Sequence, residues 1–500
     1  MRRTWRASFR GDPGLKFGEL TFPAPFVLDD PEGVLVIPQN AGLLFRVDEL
    51  EWDGKTLGGF MSMPWFGETD LASGQGYICI FATPDDVMYK GRKVRGAERD
   101  VLSAQPCFQP QKGTFGYTRR LLYHFADRGG HVALAKRYRA YAKTRGLVKT
   151  LEEKRRERPS IDRLVGAVNI YCDHFQNVEE LRKLGIERAM VSGFSKDNVR
   201  KINDLGYLSS HYDIYTDLYE SGTPPGKWER CEGFDFPRDV IKKTDGSNQI
   251  GWCPFTDKKT GIKYPSYVIC WTCGLRTLKE KMPKRLAESP FSAYFLDCVT
   301  ATGLYECYDP AHPLTRTTDR EARVGQLDYL TRGLGLVAGS EQGRDWAVPV
   351  ADYFEGVMST TAFFANPKEI HAMPFETLSS DPSFSRSRST DSIPGAGCRC
   401  SNWCTATAAR RRGAGATTVI ECHISGGRRI CWRWFTRRCR PGCCGSRSRS
   451  CLKTRRRGSK RVMTMCAAGG ARSATRKWST TSGLRKTGWC SAARLRTERR

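Results

Sequence analysis

Two textures of apolar and polar positions divide the chain. From about Met1 to Phe125 the apolar residues come in short β-branched and aromatic runs. "GVLVIPQNAGLLFRVDELEW" and "GQGYICIFATPDDVMY" are typical, each cut by Gly, Pro, Asn or Asp. Many short strands with turn residues at this spacing predict an all-β sandwich over residues 1–125. In "GGHVALAKRYRAYAKTRGLVKTLEEKRRERP" the period changes. Val132, Ala135, Tyr138, Tyr141 and Ala142 recur at helical spacing, and Gly146 marks a break, so 126–160 is predicted to be a linker helix.

From about Ile161 apolar strands alternate with amphipathic helices. "RLVGAVNIYCDHF", "IERAMVSGF", "YLSSHYDIYTD", "FSAYFLDCVTAT" and "LVAGSEQGRDW" read as strands, with a sixth around "HAMPFETL". "NVEELRKLG", "SKDNVRKINDLG" with Ser195 as N-cap, "GLRTLKEKMPKRLAES" and "DREARVGQLDYLTRGLG" read as helices. Successive βα units predict a parallel sheet, and no Gly-rich phosphate fingerprint follows the first strand, which argues against a dinucleotide fold. Polar residues gather just after each strand, where a (β/α)-barrel carries its chemistry. The predicted fold class is therefore α/β with an all-β N-terminal domain: a β-sandwich followed by an incomplete (β/α)8 TIM-type barrel over residues 161–384. A barrel needs eight strands, so this one has an open sheet edge.

After Phe384 both periods vanish, and composition explains why. Residues 385–500 hold 29 Lys+Arg against 3 Asp+Glu, which leaves 52 against 50 for residues 1–384. The formal charge of +28 is thus a property of the tail, and the first part is near neutral. Cysteine divides similarly, with 11 of 20 in the tail. Three readings compete for segments such as "CWRWFTRRCRPGCC". A zinc module needs paired Cys/His at short fixed spacings; Cys398, Cys400, Cys404, Cys422, Cys431, Cys439, Cys443 and Cys444 have only His423 to help and no repeating interval. A nucleic-acid tail would be Lys/Arg with Gly or Ser. The third reading is a shifted frame. Cys and Trp codons begin with TG, and one step back converts "ICWRWFT" and "GCRCSNWCT" into smooth aliphatic segments in one common frame. We read the tail as out of frame, expect it to be disordered because it cannot bury enough apolar surface, and take its charge to say nothing about partners.

Two carboxylates end predicted strands: Asp297 in "AYFLD" and Glu341 in "GLVAGSE". Adjacent barrel strands bring such residues to one mouth, and glycoside hydrolysis needs a carboxylate pair, one to attack or direct water and one of raised pKa to protonate the leaving oxygen. Around them lie Tyr171, Asp173, His211, Asp213, Tyr215, Asp217, Tyr305, Asp345 and Trp346. Aromatic faces stack on sugars and carboxylates accept hydroxyl hydrogen bonds, so the set suits a neutral sugar better than a phosphate. The plainer reading is an Asp that caps the next turn, and the residues alone leave both open. Cys270 and Cys273 form a single CxxC, read as two half-buried thiols rather than a zinc or redox site, and His174, His211 and His312 as satisfied polar residues. No metal or cofactor is expected.

"YFLDCVTATGLYECYDPAHPLTR", "AGSEQGRDW" and "SHYDIYTD" resemble motifs of bacterial glycoside hydrolases related to families 101 and 129, the α-N-acetylgalactosaminidase-like enzymes. "AKRYRAYAKTRGLVKTLEEK" followed by "PSIDRLVGAVNIY" resembles the start of their catalytic domain, and the likeness spans roughly residues 15–384. It implies a retaining glycosidase acting on an α-linked N-acetylgalactosamine-type or related sugar. Asp297 would be the nucleophile, Glu341 the general acid/base, and Asp213, Tyr215 and Asp217 part of the sugar subsite. The implied partner is an oligosaccharide or glycoconjugate, with no nucleic acid and no membrane. Loss of the later barrel strands implies impaired activity, and a non-catalytic carbohydrate-binding relative or disrupted-gene remnant is the alternative. "MRRTWRASFRGDPG" has no apolar core of a signal peptide and no apolar run of membrane-spanning length occurs, so a cytoplasmic location is expected.

Overall fold

The computed structural model describes residues 18–28, 33–38, 42–57, 61–96, 98–171, 175–193, 196–222 and 231–355. Beyond them it gives the backbone of four short strands, Trp5–Arg6, Cys398–Trp403, Val419–Ile424 and Arg496–Thr497. The described residues belong to one compact unit; a second unit, Arg428–Trp478, lies outside them.

The N-terminal part is two antiparallel sheets. Five strands run in the order Leu43–Arg46, Gly33–Ile37, Trp65–Asp70, Gly76–Phe81, Leu121–Ala126, and three in the order Leu20–Thr21, Asp100–Phe108, Val87–Arg95. Leu35, Ile37, Phe66, Tyr77, Cys79 and Phe81 of the first sheet meet Tyr89, Leu102, Ala104 and Phe108 of the second in one core. The alternate residues Val34, Val36, Trp65, Ile78 and Ile80 point the other way, onto Leu134, Tyr138 and Ala142 of the helix Gly130–Thr144. Both faces of the five-stranded sheet are therefore covered, which is why "GYICIF" is continuously apolar rather than alternating. The helix does not simply lead away from the sandwich; it lies on its outer face. A Cβ on Gly67 would sit 2.6 Å from Leu134 Cδ1 and from the Tyr77 carbonyl oxygen, so the close helix–sheet approach needs glycine there. The buried stripe is Leu134, Tyr138 and Ala142, whereas Val132 is exposed.

Six parallel strands follow in sequential order: β1 (Val168–Tyr171), β2 (Ala189–Ser192), β3 (Leu208–Ile214), β4 (Ala293–Asp297), β5 (Val337–Glu341) and β6 (Tyr353–Glu355). At the β1 edge the backbone of Val419–Ile424 runs parallel to β1, with Cys398–Trp403 antiparallel to it. Four helices connect the strands: α1 (Phe175–Lys183), α2 (Val199–Asp204), α3 (Trp271–Glu288) and α4 (Arg316–Asp328). This is a parallel half-barrel. Its five earlier strands coincide with the five apolar runs of the sequence. The sixth described strand is the three-residue "YFE"; the strand expected around "HAMPFETL" lies outside the described residues. The basic tail lies outside the described residues except for the strands given above, and so does Ser195.

The sandwich and half-barrel are joined by ion pairs and hydrogen bonds. Arg320 forks onto Asp85 at 2.7 and 3.1 Å, and Arg316 reaches Asp86 at 2.7 Å. Arg344, largely buried, donates to the Met61 carbonyl at 2.8 Å. Tyr138 Oη donates to Asp345 Oδ2 at 2.5 Å, and burial pushes the Asp345 carboxyl up to about 6 against that hydrogen bond.

Candidate active site

The C-terminal residues of β4, β5 and β6 are all acidic. Phe295 is in register with Gly339, so Asp297 continues that register opposite Glu341, and Glu341 is itself paired with Glu355. Paired residues in neighbouring strands share a face, so the three carboxylates form a row at the end of the sheet where barrel enzymes act. A carboxylate oxygen of Asp297, one of Glu341 and the Cys298 sulfur all lie within 4.8 Å of one another.

The two acids sit in different surroundings. Asp297 Oδ2 accepts from Tyr212 Oη at 2.6 Å and Oδ1 from the Cys298 N–H at 2.9 Å. Burial raises its pKa, and these two donors pull it back. Glu341 has one weak donor, Cys298 Sγ at 3.6 Å. Burial, with a further push from the Asp297 charge, takes Glu341 up to about 7. One carboxylate is thus supplied with donors that favour its ionised form, and the other is held near neutrality.

The backbone marks the same place. Cys298 and Gln342, directly after Asp297 and Glu341, both adopt left-handed φ, at +63° and +53°. Neither is glycine, and such strain is held only where the surroundings over-determine it. Here they do so. Thr300 Oγ1 donates to the Glu341 carbonyl, and the Gln342 N–H donates to the Glu355 carbonyl at 2.7 Å. Arg323, fully buried, donates to the carbonyls of Val299, Thr302 and Gly303 and to Asp319. The loop after Asp297 is therefore fixed from below by α4.

The structure places the other sequence-predicted residues as follows. Tyr171, at the end of β1, donates to Glu355 Oε2 at 2.6 Å, and Asn169 Nδ2 donates to Oε1. Asp173 and His174 lie outside the described residues. Asp217 Oδ1 accepts from the N–H groups of Trp252 and Cys253 at 2.9 and 2.7 Å and from Ser266 Oγ at 2.8 Å. It anchors the excursion after β3 rather than facing the mouth openly. That anchoring needs Gly251, where a Cβ would lie 2.1 Å from the Thr216 carbonyl oxygen. Tyr305 contacts Trp252 by a hydrogen bond and Arg323 by a cation–π approach of 5.6 Å. Trp346 packs on the half-barrel core beside Asp345, whose carboxyl is taken by Tyr138.

Three placements differ from the sequence reading. β3 continues to Ile214, so side chains alternate through "SHYDI". Tyr212 shares a face with Phe295 and Asp297, whereas His211, Asp213 and Tyr215 project into the layer between sheet and α3. There Asp213 Oδ2 accepts from Lys281 at 2.6 Å, from Arg285 at 2.8 Å and from Tyr294 Oη; against burial, the hydrogen bond from His211 and the charges of Lys281 and Arg285 hold its carboxyl far below the ordinary range. His211 stacks on Phe291 at 5.0 Å and Tyr215 is wholly buried against Phe234 and Trp271. Conversely, Tyr212, Glu355 and Trp252 were not among the predicted residues. The signal for Glu355 is the same as for the other acids, a short apolar run ending in a carboxylate. Trp252 is about half exposed beside Tyr305.

A parallel half-barrel with two acids close together at the carboxyl ends of its strands is the arrangement in which α/β-barrel glycoside hydrolases keep their catalytic pair. Residues 180–372, which include Asp297, Glu341 and Glu355, match the family model of glycosyl hydrolases related to the GH101 family, GH129. Its fold is similar to solved structures of the α-N-acetylgalactosaminidase NagBb from Bifidobacterium bifidum. The ligand-free form matches with TM-score 0.58 and 21% identity over 71% of this chain and 66% of that one. The GalNAc complex matches with TM-score 0.58 and 21% identity over 73% and 66%, and the Gal-NHAc-DNJ complex likewise over 73% and 65%. The chain thus spans just under two thirds of the length of those proteins. No curated protein sequence matches.

Proposed function

We propose that this chain carries the catalytic site of a retaining glycosidase for an α-linked N-acetylgalactosamine-type or related sugar in an oligosaccharide or glycoconjugate. The observation that supports it best is the closeness and unequal environment of Asp297 and Glu341. Their nearest atoms lie within 4.8 Å; retaining enzymes hold their carboxyl groups about 5–5.5 Å apart, whereas inverting enzymes leave about 6.5–9.5 Å for a water. Asp297 attacks the anomeric carbon while Glu341 gives its proton to the leaving oxygen. Glu341, now ionised, then takes a proton from water, which cleaves the glycosyl–Asp297 ester. The sugar class rests on the family and the NagBb likeness. Tyr212 orients the nucleophile, and Trp252 and Tyr305 offer aromatic faces beside the mouth. Full activity needs the barrel closed beyond Glu355, so the chain as written turns over slowly compared with one whose frame after Phe384 is restored.

The test is hydrolysis of an aryl α-N-acetylgalactosaminide by both chains, with the product followed by NMR. The first anomer to appear is expected to be α. A β product, or no hydrolysis by the restored chain, would refute the mechanism or the substrate class. The attacking form of Asp297 is ionised and the donating form of Glu341 is protonated. kcat/KM should therefore fall as pH rises through about 7, the value to which Glu341 is raised, and fall again at low pH as Asp297 protonates.

Gly251→Ala should push Trp252 off its Asp217 anchor. We expect KM to rise about fivefold to tenfold, roughly 1 kcal/mol of binding, with kcat much less affected. An unchanged KM would remove Trp252 from the sugar site.

A further inference from the structure

The single CxxC of the sequence is not isolated in space. Cys270 is the N-cap of α3 and Cys273 stands in its first turn. Cys307 and His312 belong to the loop between β4 and α4, where Cys307 forms a two-way backbone bridge with Leu314. A ligand atom of each of Cys270, Cys307 and His312 lies within 4.8 Å of the other two. Cys307 Sγ is 3.3 Å from His312 Nδ1, and the Cys270 thiol is in hydrogen-bonding contact with both Cys273 and Cys307. We infer that Cys270, Cys273, Cys307 and His312 form a structural Cys3His zinc site that staples the start of α3 to the loop following the nucleophile strand.

Four features carry this. The donor set reads Cys-x2-Cys and Cys-x4-His, both spacings within the range of structural zinc sites. A tetrahedron with Zn–S of about 2.3 Å and Zn–N of about 2.0 Å sets its ligand atoms about 3.5–3.8 Å apart; Cys270, Cys307 and His312 already lie within 4.8 Å of one another, and Cys273 meets the cluster through its contact with Cys270. His312 Nε2 donates to the Arg238 carbonyl at 2.8 Å, which leaves the Nδ1 lone pair facing the sulfurs; a ligating histidine is held by its other nitrogen in this way. Cys307 Sγ accepts the Lys242 N–H at 3.3 Å, and two of the thiols sit at a helix N-terminus, both of which favour thiolate. All four residues are buried, so the site is closed to substrate and structural rather than catalytic. Binding releases the remaining thiol protons to solvent, so uptake is stronger as pH rises.

The competing outcome is a cluster of reduced thiols or a Cys270–Cys273 or Cys270–Cys307 disulfide. The full chain, expressed with zinc in the medium, is assayed for metal by mass spectrometry and for Co(II) spectra after exchange. We expect about one zinc per chain, at least a tenfold loss in Cys307→Ser and in His312→Ala, and no change in Cys443→Ser/Cys444→Ser, which tests the tail cysteines. Exchanged Co(II) should show intense tetrahedral d–d bands and sulfur charge transfer in the unsubstituted chain, a readout independent of whether the variants fold. A chain without zinc, an octahedral Co(II) spectrum, metal that follows only the tail cysteines, or a disulfide found by peptide mapping would each overturn the site. None of these bears on hydrolysis at Asp297 and Glu341, so the two readings fail separately.

Discussion

Replacing Asp297 by Ala is expected to lower kcat by about 10³-fold or more in the frame-restored chain, about 4 kcal/mol of transition-state stabilisation. The carboxylate it removes accepts hydrogen bonds from Tyr212 Oη and the Cys298 N–H and is the proposed nucleophile. The loss alone does not prove attack, because any buried carboxylate near the sugar could matter. Azide separates the roles. In Asp297→Ala it takes the vacated face and displaces the leaving group directly, giving the β-glycosyl azide from an α-substrate. In Glu341→Ala the first step survives on substrates with a good leaving group, and azide then attacks the glycosyl–Asp297 ester, giving the α-azide. Opposite azide anomers from the two variants, read by NMR, are the expected result. The same anomer from both, or no rescue in either with Tyr212 intact, would remove one or both residues from the assigned roles.

The strands that carry these residues were legible because both faces of a parallel sheet are covered, which leaves apolar runs of the kind seen in "AYFLD" and "LVAGS". An acid at the end of such a run has little reason to be there for packing. The same logic was available for "YFE", yet three residues are too few to stand out from loop, and Glu355 was missed. The sugar-facing set was less legible. Whether Asp213 or Tyr212 faces the mouth depends on where β3 stops, and one residue of parity exchanges the two. The long excursion from Leu218 to Cys270 has almost no periodic pattern. Its shape comes from non-local bonds such as Asp217 to Trp252, which no local signal announces. The Cys3His cluster was hidden for the same reason, since its two halves lie on either side of α3 and β4.

Arg323→Met is expected to have the largest effect on stability. Arg323 and Asp319 are both fully enclosed, with Nη2 to Oδ2 at 2.7 Å, and the guanidinium lies 4.4 Å over the Trp271 ring. Methionine fills most of the volume but donates nothing. The Val299 and Gly303 carbonyls lose the Arg323 donor, the Thr302 carbonyl keeps only Arg344, and the buried Asp319 carboxylate keeps only the Tyr305 N–H; breaking such a pair from one side destabilises by roughly 3–5 kcal/mol. A fall of roughly 10 °C in the thermal midpoint is the expected scale. The pH dependence identifies the cause. Burial already raises Asp319 to about 6 with Arg323 present, and loss of the cation raises it further. The folded variant then binds more protons than the unfolded chain above the ordinary carboxylate range, so its stability falls as pH rises through that interval. The midpoint difference between the two chains should therefore be smaller at pH 5 than at pH 8. Equal differences at both pH values would mean that packing over Trp271, and not the stranded Asp319 charge, dominates. Because the same guanidinium fixes the carbonyls of Val299, Thr302 and Gly303, kcat should fall with stability at temperatures where the variant is still folded. An unchanged kcat there would show that the strained turn after Asp297 holds its shape without α4.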